Sequence, residues 1–76
     1  MSQMLVKTRD RVYRFVKAYA RKNGYPPSMR EIGDAVGLSS LSSVSHQLAK
    51  LEAEGKIERK PNAARTIRIV DDYTPQ

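Results

Sequence analysis

The groups with most chemistry to offer lie around the chain's single histidine, in the run SSLSSVSHQLAK from Ser39 to Lys50. Hydroxyls, an imidazole and an amide can serve as nucleophile and base, or can simply donate and accept hydrogen bonds. Nucleophilic catalysis needs a third group that orients the base. The first carboxylate after His46 is Glu52, six residues on and on another helical face. No acid–base or nucleophile arrangement forms, and an enzyme is not expected. Polar recognition is the better use of these groups. No carboxylate occurs between Asp34 and Glu52. A face of small hydroxyls, one imidazole and a nearby amide, free of negative charge, suits a groove lined by phosphates.

A helix is needed to gather them. At about 100° per residue, Leu41, Val44, Leu48 and Leu51 cluster on one side and are expected to pack inward, while Ser42, Ser45, His46, Ala49 and Ala53 lie roughly opposite with Gln47 beside them. Ser39 or Ser40 caps this helix, and Gly55 closes it. A shorter helix precedes it. Ser28-Met29-Arg30-Glu31 reads as a capping box, and Ile32 and Val36 supply an apolar face at i, i+4. Gly37 suits the left-handed position that ends that helix, while Gly33 carries no Cβ to hold a neighbouring helix away. Helix, tight turn and second helix thus run from Ser28 to Gly55.

The flanks complete a fold. Thr8 is expected to cap a first helix reaching about Asn23, with Val12, Phe15, Val16 and Tyr19 as its core stripe and Arg11, Arg14, Lys17 and Arg21 in water. That stripe is needed to bury the next two helices, which argues against a membrane-surface role. Tyr25-Pro26-Pro27 makes a stiff connection, with Tyr25 able to pack on the core edge or to contact a phosphate, packing being the expected role. After Gly55 the period becomes that of strands. Lys56–Arg59 and Thr66–Val70 form a hairpin with Ile57, Ile67 and Ile69 inward, a turn at Pro61-Asn62-Ala63-Ala64, and a basic tip from Arg59-Lys60 to Arg65 projecting as a wing. The fold class is mostly α with a small β-hairpin, a winged helix-turn-helix. It occupies residues 1–70 as one domain, with residues 71–76 as a polar tail.

Composition narrows the partners. Fourteen Lys and Arg against eight Asp and Glu give +6, which favours an anionic partner, nucleic acid first. Residues 7–30 hold eight basic groups against Asp10, and residues 56–68 hold five against Glu58. The two basic blocks flank the acid-free helix. With no cysteine and one histidine, neither a disulfide framework nor a metal site is expected, and no cofactor or small-molecule ligand is indicated. No run is long enough to span a membrane, and MSQMLVK has no apolar secretion core, so a cytoplasmic, nucleoid-associated location is expected.

The run GYPPSMREIGDAVGLSSLSSVSHQLAKLEAEGKI, from Gly24 to Ile57, closely resembles the N-terminal DNA-binding domain of the LexA family of SOS-response repressors, the Gram-positive and actinobacterial branch in particular. More loosely, the resemblance extends over Thr8–Asn23 and Arg65–Val70. It implies that the third helix enters the major groove of double-stranded DNA. Matching positions make Ser40, Ser42, Ser43, Ser45 and His46 candidates for base contact, with Gln47 beside them. Ser42, Ser45 and His46 agree with the face derived from periodicity, whereas Ser40 and Ser43 rest on the family. Phosphate contacts are assigned to Ser28 and Arg30 at the second helix and to Arg59, Lys60 and Arg65 of the wing. The implied operator is an inverted repeat of the GAAC…GTTC kind, occupied by a weak homodimer on DNA.

The family's self-cleaving peptidase domain, with its Ser–Lys dyad, has no room in 76 residues. A free-standing regulator of a phage or mobile element is the corresponding expectation, repressing promoters or occupying a host repressor's operators. The alternative is a winged-helix interaction module that modulates a host repressor or transcription complex. The acid-free third helix between basic blocks argues against that alternative.

Overall fold

Three helices and one hairpin follow in chain order: α1 (Thr8–Asn23), α2 (Met29–Val36), α3 (Leu41–Ala53), β1 (Ile57–Glu58) and β2 (Arg68–Ile69). The computed structural model describes residues 7–60 and 65–70. The hairpin turn at 61–64, the tail at 71–76 and the N-terminal segment 1–6 lie outside the described residues. This is the winged helix-turn-helix arrangement. α1 packs on both α2 and α3, and the antiparallel hairpin pairs Ile57 with Ile69 and Glu58 with Arg68.

The core is built from one stripe of each element. Val12 and Val16 of α1, Ile32 and Val36 of α2, and Val44, Leu48 and Leu51 of α3 are buried together with Ile57 and Ile67. Phe15 and Ile69 pack on its margin. Burying an aliphatic side chain of this kind stabilises by about 1.5–3 kcal/mol. Nine such residues make the core of a chain of this size.

Local chemistry sets the helix ends. In the capping box of α2, the Glu31 N–H donates to Ser28 Oγ (3.2 Å) and the Ser28 N–H donates to Glu31 Oε1 (2.8 Å). Gly37 takes the left-handed conformation (φ 81°) and stops α2, where any side chain would be strained. The N–H groups of Gly37 and Leu38 both donate to the Gly33 carbonyl, at 2.9 Å each. Gly33 is where the two helices meet. A Cβ there would stand 2.8 Å from the Leu38 carbonyl oxygen and 3.3 Å from Val44 Cγ2. At the far end of α3, the N–H groups of Gly55 and Lys56 reach back to the Glu52 and Leu51 carbonyls, a Schellman closure.

Four local expectations change. Thr8 is the first helical residue of α1 and not its cap; Lys7 holds the extended cap position and makes no side-chain capping bond, having no acceptor to offer. Leu41 does not pack inward but is 53% exposed, whereas Val44, Leu48 and Leu51 are fully buried. Helical side chains lean toward the helix N-terminus, so a residue in the first turn overhangs the helix end instead of the core. β2 is also shorter than Thr66–Val70. Arg65 turns the chain with a positive φ of 55°, and the Thr66 hydroxyl accepts from the Lys60 N–H (3.0 Å) and donates to the Lys60 carbonyl (3.2 Å). A side chain there meets the Lys60 backbone groups that a longer ladder would have paired.

The fourth concerns the basic wing tip. Arg59 and Arg65 do not project but fold back on the helices. Arg59 Nε pairs with Glu52 Oε1 of α3 at 2.9 Å, and Arg65 binds Glu31 of α2. Carboxylates within reach outcompete extension into water. Lys60 stays exposed.

Candidate nucleic-acid interface

The outward side of α3 is built by its caps and its buried stripe. Ser40 Oγ accepts from the Ser43 N–H (3.1 Å), which starts the helix and sets its rotation, and donates to Ser43 Oγ (3.2 Å). With Val44, Leu48 and Leu51 locked into the core, Ser42, Ser43, His46 and Ala49 are exposed, and Ser45 and Gln47 are half-buried beside them. The side chains of Ser42, Ser45, His46 and Gln47 make no hydrogen bond or ion pair within the described residues. Their donors and acceptors remain available. Of the predicted base-contacting group, only Ser40 and Ser43 are partly committed, to each other.

Arg30 extends this surface. It is exposed in the first turn of α2, makes no ion pair within the described residues, and joins Asp34, Leu38, Ser39 and Leu41 around a groove of about 210 Å³ at the α2–α3 corner. Ser28, half-buried at the N-terminus of α2, has its Oγ accepting from the Glu31 N–H, and the first N–H groups of the helix are left to attract an anion. The structure thus brings Ser28, Arg30 and the α3 face onto one helix-turn-helix unit.

The wing root is wired differently. Arg65 Nη1 and Nη2 donate to Glu31 Oε1 and Oε2 at 3.0 and 3.1 Å, a bidentate fork. Nη1 also reaches the Pro26 carbonyl (3.1 Å) and the Tyr19 hydroxyl (3.4 Å), and the guanidinium carbon stands 5.1 Å from the Tyr25 ring centroid. The Tyr19 hydroxyl donates to Glu31 Oε2 at 3.2 Å, and the Tyr19 and Tyr25 rings meet edge-on at 5.9 Å. Arg65 and the Ser28 N–H together hold the Glu31 carboxyl down at about 2, and the same contact pushes the Arg65 guanidinium up. One arginine therefore fastens the hairpin to α1, the Pro26 segment and α2. Charge and spacing alone could not reveal this role, because Arg65 and Glu31 are 34 residues apart.

Further ion pairs join Arg68 to Glu58 across the two strands, and Lys56 and Arg9 to Glu54. Among the described residues no group of three or more His, Cys, Asp or Glu could hold a metal ion, and no helix is long and apolar enough to cross a membrane.

A capped helix whose outward polar groups have no partner within the described residues, set on a second helix through a glycine seam and followed by a fastened hairpin, defines a domain of the winged helix-turn-helix class. Residues 2–66 match the family described as the LexA DNA binding domain, and the chain belongs to that family. It is 47% identical over 70 residues to the LexA repressors of Staphylococcus aureus strains Mu3, Mu50 and USA300. The alignment covers 92% of this chain but 34% of each relative, so the chain spans about a third of the length of the curated relatives it matches.

Proposed function

We propose that this domain reads an operator for a transcriptional repressor of the LexA type. α3 lies in the major groove, with Ser42, Ser45, His46 and Gln47 meeting base edges and Ser40 and Ser43 contributing at the start of the helix. His46 and Gln47 carry most of the discrimination, since a hydroxyl both donates and accepts and so separates bases poorly. Ser28 and Arg30 hold the backbone beside α2, and Lys60 holds it beside the wing. Arg59 adds to that grip while paired with Glu52. Arg65 contributes chiefly by fixing the wing's position. Such contacts set register without reading sequence.

The operator is an inverted repeat of GAAC half-sites. Two copies bind it about one helical turn, or 10 bp, apart. Bound protein then excludes polymerase by occupancy of the promoter. The observation that carries this reading is the α3 face itself: outward, free of carboxylates and, within the described residues, without internal partners, beside an Arg30 that makes no ion pair there. Hydroxyl-radical footprinting on a duplex holding the repeat tests it. Two protected backbone patches about 10 bp apart, on one side of the duplex, are expected. Protection without such spacing would contradict the paired half-site arrangement.

A further inference from the structure

Leu41 exposes more of itself than any other large apolar side chain among the described residues. Only Tyr25 is comparable, at 48% against 53%, and Tyr25 is engaged with the Tyr19 ring and the Arg65 guanidinium. Leu41 is not among the residues of the buried core. Its place is specific. It is the first residue of α3, one turn before Ser45 and next to Ser42, at the mouth of the groove that Arg30 lines. Leu41 carries the period of the inward stripe, but at the exposed start of α3 it stands one turn from Ser45, its i+4 neighbour on the helix surface. In helix-turn-helix domains the first residues of the recognition helix are those that reach base edges.

A leucine cannot donate or accept a hydrogen bond, so it cannot read the polar edges of guanine, cytosine or adenine. The major groove offers one apolar group, the C5-methyl of thymine. We propose that Leu41 is a specificity-determining residue that packs against a thymine methyl in each half-site. This rests on the operator reading above. In the GAAC half-site the complementary strand reads GTTC and places two adjacent thymines in the groove, either of which would supply the methyl.

Uracil provides the test, because it pairs as thymine does and lacks only the methyl. Anisotropy titrations would compare the GAAC-repeat duplex, a scrambled duplex, and repeat duplexes with deoxyuridine at the first or second thymine of both half-sites. The native domain and Leu41→Ala would be titrated in parallel. Circular dichroism melts would establish that the variant is folded, as the exposure of the side chain leads one to expect.

One of the two uracil duplexes should bind the native domain about fourfold more weakly per half-site, the equivalent of one lost methyl contact. Leu41→Ala should bind thymine and uracil duplexes alike. Preference for the repeat over the scrambled duplex, with no uracil penalty at either position, would overturn the role of Leu41 while leaving the operator reading intact. So would a uracil penalty that persists in Leu41→Ala. Equal binding to repeat and scrambled duplexes would bring down the operator reading and the inference with it.

Discussion

The outward face of α3 and the root of the wing are both polar, yet they are opposite in wiring. At the wing root Arg65 meets Glu31 through two hydrogen bonds and adds Tyr19, Pro26 and Tyr25 as further partners. On α3, Ser42, Ser45, His46 and Gln47 have no side-chain partner within the described residues. The four glutamates of the chain are all taken up in ion pairs, with Arg9, Lys56, Arg59, Arg65 and Arg68. The glutamates thus stand where cations hold the fold together, and α3 carries no carboxylate from Leu41 to Leu51. A count of charge treats these cations alike. Their partners mark the ones that also build the domain.

Substitutions at the seam, on the reading face and in the clamp should separate in the same way. The largest effect is expected at the seam that joins the two regions. Gly33→Ala would drive a methyl against the Leu38 carbonyl, which is backbone and cannot swing aside. A loss of about 1–3 kcal/mol in stability is expected by chemical denaturation, with DNA binding falling in step. A variant of native stability would show that α2 and α3 are not locked together at this point.

His46→Ala should leave the melting temperature in place, because the side chain is exposed and without a partner within the described residues. It should reduce discrimination between operator and scrambled DNA by about 1–3 kcal/mol. An unchanged preference would move the reading face elsewhere on α3.

The clamp should show the reverse pattern. Glu31 has its folded value near 2 against an ordinary 4.5. Below pH 4.5 the unfolded chain takes up a proton that the folded one refuses, so the clamp's contribution is present at neutral pH and is lost as pH falls from about 4.5 toward 2. Glu31→Gln should melt lower than the native domain at pH 7, and the gap should close through that window. Its preference for operator over scrambled duplex should survive at neutral pH. A gap that does not depend on pH would remove the carboxylate from the clamp.

The smallest effect is assigned to Arg59→Ala. It should weaken binding to all sequences equally and lower the slope of log K against log salt by about one. A change in base preference would place Arg59 on the reading side.

Much of the helix-turn-helix was legible because its determinants are local. The Ser28–Glu31 box, the Gly37 stop and the Ser40 cap each act within four residues, and side-chain period alone separates Val44, Leu48 and Leu51 from Ser42 and His46. Leu41 follows the same period but falls beyond the edge of the core. Periodicity gives a direction around the helix axis; it does not say how far along that axis the neighbouring elements extend. The short β2 was hidden for a related reason, since the Thr66 hydroxyl binds the Lys60 backbone. The fastening role of Arg65 is not legible because its charge is visible in the sequence while its partners are not. Tyr19, Pro26 and Glu31 lie 34 to 46 residues away, and only the packed hairpin brings them within reach.

On this reading the α3 face recognises bases and does not merely lie against a charged backbone. Fluorescence anisotropy with a labelled duplex carrying the inverted GAAC repeat tests it directly, against the same duplex scrambled and at two salt concentrations. Binding that favours the repeat, and keeps that preference as salt rises, is the predicted result. Equal binding to both duplexes, collapsing together as salt rises, would reduce the interface to backbone attraction and contradict the account.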